Sequence, residues 1–206
     1  MSRIENFKQH LLETDILDPI GIHHEFSSGM HGRKLDFDRI ETHSELYNEW
    51  IDITTDFITQ EYPMQPKFLI GVANGTNRVS VDTANKLGGN IIGLDTEKDI
   101  NDSKIIHLTK MAKIIIEKSN PEFVLVVEDV GSTGSNSVQV ASESLLAGAR
   151  QVEILNTWQR RAHLEKLLEL GIPYKSIIKV ELPTFEPIVC ELSGYCSKDW
   201  QLIKHD

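Results

Sequence analysis

Glu128 and Asp129 stand side by side at the end of an unbroken apolar run, FVLVV, and the small-residue stretch GSTGS follows at residues 131 to 135. Carboxylates accept paired hydrogen bonds from neighbouring hydroxyls, as on a sugar diol. Gly131 and Gly134 let the backbone wrap closely round a ligand, and Ser132, Thr133 and Ser135 bring hydroxyl donors. A helix is expected to begin near Asn136, with its free N–H groups and positive dipole end turned into the loop. That is an anion site, and a phosphate group fits it. Acids in contact with that phosphate would repel it, so they are expected to face another part of the same ligand. The ligand then reads as a phosphorylated sugar, with phosphate in the loop and diol on the acids. Both acids are expected to be ionised at neutral pH, near their reference values. The plain alternative is a strand–turn–helix in which the acids favour the helix N-terminus. Neither the Gly-Lys-Ser/Thr of a P-loop nor a G-x-G-x-x-G run is present here.

The elements that must position this stretch follow from periodicity. Ile4, Phe7, Leu11 and Leu12 predict a helix over residues 3 to 17, and Leu46, Trp50, Ile53 and Phe57 another over 43 to 60. Pro63 and Pro66 end the second. Strands are expected at 68 to 72, 90 to 94, 123 to 127, 152 to 155 and 177 to 180. Between them come a loop at 73 to 77 and helices at 78 to 87, after 107, after 135 and around Leu164, Leu167 and Leu168. Residues 95 to 120 are ambiguous: DTEKDINDSK, 95 to 104, is polar and could be a mobile loop. Strands alternating with helices predict an α/β fold, a mostly parallel sheet with helices on both faces. In such sheets a ligand sits beyond the carboxyl ends of the strands. The 206 residues are expected to form one domain, with residues 1 to 41 as an N-terminal hood over that edge.

A net charge of −10 disfavours nucleic-acid backbone and anionic membrane as partners, because the electrostatic term would repel them. Two cysteines, Cys190 and Cys196, are too few for a disulfide framework and are read as buried thiols of a reducing interior. No apolar run approaches membrane-spanning length, and a cytoplasmic protein is expected.

VLVVEDVGSTGSNS resembles the signature of phosphoribosyltransferases that use 5-phosphoribosyl-1-pyrophosphate (PRPP). The order of segments is similar to that of the orotate phosphoribosyltransferase group. HHEFSSGMHGRKLDFDRI resembles its N-terminal segment, GVANGTNRVSV its second strand and pyrophosphate loop, and WQRRAHLEKLLELGIPYKSII the helix and Gly-Ile-Pro after its signature. The resemblance implies the type I phosphoribosyltransferase fold, Mg²⁺ accompanying PRPP, and a homodimer. It implies ribose hydroxyls on Glu128 and Asp129, and the 5′-phosphate on Gly131, Ser132, Thr133, Gly134 and Ser135. Pyrophosphate would lie on Ala73, Asn74, Gly75 and Thr76 with Arg78, a stretch that otherwise reads as an ordinary turn. Residues 26 to 37 and 157 to 160 would select the base. Lys98 could reach the pyrophosphate after loop closure and His107 could stabilise the leaving group; otherwise both are ordinary surface residues.

The chain departs from the group's pattern at several points. Ser27 stands where a base-contacting Lys is usual, and no His-Gly occurs among Lys98, Lys104, His107 and Lys110. Counting back from Gly171 puts Trp158 and Gln159 at the group's Asp-Arg, at the start of a helix, with Arg160 about a quarter-turn further on. Ser27, Gln159 and Arg160 are therefore the expected base contacts, and a base other than orotate is expected to be preferred. The reaction implied is transfer of the phosphoribosyl group to a nucleobase with release of pyrophosphate. A PRPP-sensing binder without catalysis is the alternative, and a sugar-phosphate hydrolase or isomerase a third reading.

Overall fold

Phe68 to Gly71 (β3) and Phe123 to Gly131 (β7) lie side by side in the middle of a five-stranded parallel sheet. Strands covered on both faces cannot alternate in polarity, which is why FLIG and FVLVV are apolar throughout. The computed structural model describes residues 2–18, 22–26, 30–72, 74–102, 105–160, 164–192 and 201–204. The sheet has the order β4-β3-β7-β8-β9, with β4 at Ile92–Leu94, β8 at Gln151–Gln159 and β9 at Tyr174–Lys179. Leu125 and Val127 face one apolar layer with Phe7, Leu11, Phe37 and Trp50. Val124 and Val126 face another with Ile116, Val140, Ile154 and Leu167. Each such buried side chain contributes about 1.5–3 kcal/mol.

The first layer is built by α1 (Arg3–Glu13), α2 (Ser44–Glu61) and α3 (Asn74–Leu87). The second is built by α4 (Lys110–Ser119), α5 (Ser135–Leu146) and the short α6 (Glu165–Glu169). No helix of the described residues is long and apolar enough to cross a membrane. The hood is a separate four-stranded sheet, β10-β2-β1-β11. Ile22–Glu25 (β1) and His31–Gly32 (β2) come from the N-terminal part, while Thr184–Phe185 (β10) and Gln201–Lys204 (β11) come from the other end of the chain. A 3₁₀ helix, Phe37–Thr42, leads from the hood into α2, and a short α7, Pro187–Leu192, follows β10. Cys190 on α7 is fully buried, with its Sγ 3.1 Å from His23 Nδ1; Cys196 lies outside the described residues.

Four sequence expectations are corrected here. The first helix stops at Glu13, short of residue 17. The loop expected at 73 to 77 is mostly helix, because α3 begins at Asn74. The ambiguous stretch 95 to 120, with a loop expected first, opens with an antiparallel hairpin, Thr96–Lys98 (β5) and Ile106–Leu108 (β6). The largest correction concerns strand ends. β7 and β8 keep one register as far as Gly131↔Gln159, so both run about four residues beyond their apolar stretches. Those extra residues carry the candidate site.

Candidate functional site

A cavity of about 540 Å³ opens where β7 ends, lined there by Asp129, Val130, Ser132, Thr133 and Ser135. The opposite wall comes from the hood and the 3₁₀ helix, through Phe26, Lys34 to Asp38 and Thr184, and Arg160 closes it at the end of β8. Gly134 is the N-cap of α5, with φ of 78°, and no side chain caps the helix. The N-cap glycine leaves the first-turn N–H groups without a capping side chain, save a long 3.4 Å contact from the Ser135 N–H to Thr133 Oγ1, and such a turn suits an anion. Thr133 Oγ1 and Ser135 Oγ lie 2.9 Å apart at the mouth of that turn.

Asp129 accepts a hydrogen bond from the Val130 N–H at 2.6 Å. Burial pushes its pKa up; the Val130 N–H opposes this, and the charges of Asp38 and Asp36 add to it, giving about 6. Glu128 differs from the expectation. Residues adjacent in a strand point to opposite faces, and β7 is still a strand at this point. With Asp129 in the cavity, Glu128 is turned toward α5, where it accepts a hydrogen bond from Ser137 Oγ. Burial, partly offset by Ser137 and reinforced by Asp129, pushes Glu128 up to about 8, so it is not ionised near its reference value. Glu128 does not line the cavity, and the expected pair of diol carboxylates is reduced to one.

None of the expected pyrophosphate residues among those described lines this cavity. Ala73 lies outside the described residues. Asn74, Gly75 and Thr76 form the first turn of α3, and the Thr76 hydroxyl is donated back to the Val72 carbonyl at 2.6 Å. A Cβ on Gly75 would stand 2.9 Å from Asp38 Oδ1, so a carboxylate covers that turn at its edge with the cavity. Arg78 packs 4.7 Å over the Tyr47 ring and pairs with Asp82 at 3.7 Å, on the side of α3 that faces α2.

Lys98 and His107 sit on the β5–β6 hairpin and line a different surface cavity. His107 Nδ1 pairs with Glu143 on α5, and its Nε2 lies 3.5 Å from Asp99. Glu143 is eight residues into α5 from Ser135, which is about 12 Å along the axis, so this contact holds His107 away from the phosphate loop. Burial acts against ionisation of Glu143. Hydrogen bonds from His107, the Leu108 N–H, Lys113 and Gln139 outweigh it and bring its pKa to about 2. A depressed carboxylate stabilises the fold above its unfolded pKa, and that contribution is lost as pH falls through the folded value. Glu143→Gln is thus expected to lower the unfolding temperature at pH 7, with the difference from wild type closing between pH 4.5 and about 2. Thermal melts across that range test the clamp; a difference independent of pH refutes it.

The base-contact set is rearranged as well. Ser27 lies outside the described residues. Gln159 is buried, its Oε1 accepting from Ser176 Oγ at 3.0 Å, and it does not line the cavity. No helix starts at Trp158; β8 continues through Gln159, so the next side chain faces the other way. That side chain is Arg160, which lines the cavity with its guanidinium 4.4 Å over the Phe26 ring and Nη2 donating to the Arg33 carbonyl at 2.7 Å. Asp38 and Thr184 were not expected in the wall. The Asp-Phe-Asp spacing of residues 36 to 38 was the available signal for the first, and no local signal marks the second.

No protein-family model matches the sequence, and no curated protein matches it. Solved structures do resemble the fold. An orotate phosphoribosyltransferase from Aeropyrum pernix superposes with a TM-score of 0.63 at 16% identity, over 94% of this chain and 99% of that one. UMP synthase of Leishmania donovani gives 0.63 at 15% identity over 87% of this chain, which spans only 37% of that longer protein. An adenine phosphoribosyltransferase gives 0.58 at 14% identity, over 85% and 99%. The chain thus has the type I phosphoribosyltransferase fold that the signature implied.

Proposed function

We propose that the protein transfers a phosphoribosyl group from PRPP to a nucleobase and releases pyrophosphate. The observation that carries this reading is the cavity wall itself. Asp129, the uncapped first turn of α5 and a cation over an aromatic ring, Arg160 on Phe26, meet around one space. In this reading the 5′-phosphate lies on residues 131 to 135, Asp129 accepts from the ribose hydroxyls, and the base packs beside Phe26. As positive charge builds on the ribose ring, the Asp129 carboxylate is the nearby group that can stabilise it. Magnesium belongs to this reading as the ion the pyrophosphate brings with it. Among the described residues, no group of three or more His, Cys, Asp or Glu side chains could hold it.

The expectation against orotate rested on Gln159 and Ser27 occupying the base contacts. With Arg160 in the wall, a guanidinium that gives one N–H to the Arg33 carbonyl borders the space, and a cation with several donors suits a base bearing exocyclic oxygens. We therefore propose an oxo-bearing base, orotate and uracil among the candidates, in preference to adenine. Pyrophosphate release with PRPP and Mg²⁺ over orotate, uracil, hypoxanthine, guanine and adenine tests both statements. Arg160→Leu should lower turnover of the preferred base about tenfold or more, the effect of losing a charged hydrogen bond. Fastest turnover with adenine overturns the base assignment.

One observation favours the non-catalytic reading, a PRPP-binding sensor. Lys98 and His107, the expected catalytic pair, line another cavity, and Glu143 holds His107 there. PRPP binding without turnover on any base of the panel would select that reading.

A further inference from the structure

Beneath the phosphate loop lies a cluster of polar side chains set into the otherwise apolar layer of Val126, Val140, Ile154 and Leu164. Glu128 accepts from the hydroxyl of Ser137, a first-turn residue of α5. Asn156 is the register neighbour of Glu128 on β8, one strand spacing of about 4.8 Å away and on the same face. Asn156 is fully buried, and neither atom of its amide has a hydrogen-bond partner among the described residues. Its Oδ1 lies 2.6 Å from where a Cβ on Gly131 would be, so the amide rests directly against the start of the loop. An unpaired buried amide is costly, and here it adjoins the backbone that would cradle an anion.

We propose that Glu128 is a positioning residue rather than a sugar ligand: with Ser137 and Asn156 it forms an uncharged polar floor under residues 131 to 135, and the loop holds a doubly charged phosphate only while that floor stays uncharged. The proposal rests on the 5′-phosphate assignment above. Ser137 fixes the acid beneath that turn, because its side chain is bonded to Glu128 while its backbone belongs to the turn that faces the phosphate. A proton on Glu128 leaves the floor neutral. Its loss puts a full negative charge beneath a dianion within the protein, where screening is weak. From β7 the neighbouring titratable group is Asp129, from α5 the neighbour is Ser137, from β8 it is Asn156, and just past the end of β3 the adjoining residue is Val72, whose N–H donates to the Val127 carbonyl. Asp36 and Asp38 act on Asp129. Asp129 is half ionised near pH 6 and mostly ionised by pH 7, and a sugar phosphate loses its second proton over the same range. Of the adjacent acids Glu128 and Asp129, it is Glu128 whose charge changes chiefly between pH 7 and 9.5, with its pKa at about 8.

The experiment is calorimetric titration of the full chain with ribose 5-phosphate from pH 7 to 9.5, using wild type, Glu128→Gln, Ser137→Ala and Asp129→Asn. Wild-type affinity is expected to fall about tenfold or more with a midpoint near pH 8. Glu128→Gln should bind as wild type does at pH 7 and show no such fall. Ser137→Ala removes the bond that favours the ionised acid, so its midpoint should move to higher pH. Should Glu128→Gln fail to fold, the shift in Ser137→Ala still decides the matter. A flat wild-type profile overturns the proposal. So does a folded Glu128→Gln that loses ribose 5-phosphate at pH 7 as Asp129→Asn does, an outcome that leaves the phosphate assignment standing. Absence of ribose 5-phosphate binding by wild type at every pH removes that assignment, and the proposal with it.

Discussion

Asp129→Asn should weaken PRPP binding by tenfold or more while leaving the fold intact. The carboxylate lines the cavity at the end of β7, with its backbone fixed by pairing of Val130 and Gly131 to β8. A hydrogen bond to a charged acceptor contributes about 1.5–3 kcal/mol, and two ribose hydroxyls can share this one. Asn keeps a single acceptor oxygen, loses the charge, and turns two N–H donors toward groups that also donate. With a pKa of about 6, wild-type Asp129 should bind better as pH rises through that value, and the Asn variant should keep only the weaker dependence that the phosphate's own second ionisation brings. Stability runs the other way. A carboxyl whose folded pKa is raised loses its favourable contribution as pH rises from the unfolded value through the folded one, here from about 3.8 to about 6. Asp129→Asn should therefore melt no lower than wild type at pH 7. Calorimetric titration with PRPP, paired with a melting curve, measures both. A folded variant with an unchanged isotherm removes Asp129 from the sugar site.

That assignment was half legible in the sequence. FVLVV followed by two acids and GSTGS located the start of the strand and the start of the helix to within a residue, but not the end of the strand. It misplaced Glu128 because the end of β7 is set by its neighbour. β8 continues to Gln159, so β7 is paired as far as Gly131 and its side chains keep alternating. Local composition does not encode how far a partner strand runs. The same cause misplaced Arg160, since one residue decides which face of β8 the guanidinium takes. The hood was read from residues 1 to 41, yet half of its strands come from residues 184 to 204. Pairing across so many residues leaves no periodic trace in either segment. His107 looked available for chemistry because the sequence does not show that Glu143, thirty-six residues later, meets it.

The hairpin bears on whether the chain is an enzyme or a sensor. Glu143 accepts from both His107 and the Leu108 N–H, so β6 is fastened to the side of α5 at two points. The hairpin tip stands over a cavity of its own. A catalytic role for Lys98 thus needs the hairpin to move relative to α5, and the Glu143 contact is the restraint such movement must break. The acid-range melts on Glu143→Gln measure its strength, while base turnover measures whether it yields.

Gly134→Val is expected to abolish phosphate binding. Gly134 has φ of 78°, in the left-handed region that costs an L-residue about 1–2 kcal/mol and a β-branched one more. A Cβ there would also stand 2.8 Å from Leu167 Cγ, on the helix packed behind the loop. Valine must therefore either push α6 away or swing the turn, and swinging the turn moves the N–H groups of Ser135 and Asn136 off the anion. Ribose 5-phosphate and PRPP share the 5′-phosphate and should lose affinity together, by about a hundredfold if one charge-assisted bond and the helix-end field are both lost. Pyrophosphate alone should still bind near Asn74 to Thr76. Adding Leu167→Ala removes the contact behind the loop but leaves the backbone conformation forbidden. The double variant should accordingly regain stability without regaining phosphate, which separates a folding defect from a site defect. If the variant instead loses pyrophosphate and keeps ribose 5-phosphate, the two anion sites are exchanged: the 5′-phosphate belongs at the start of α3, and the loop at the start of α5 holds the leaving group.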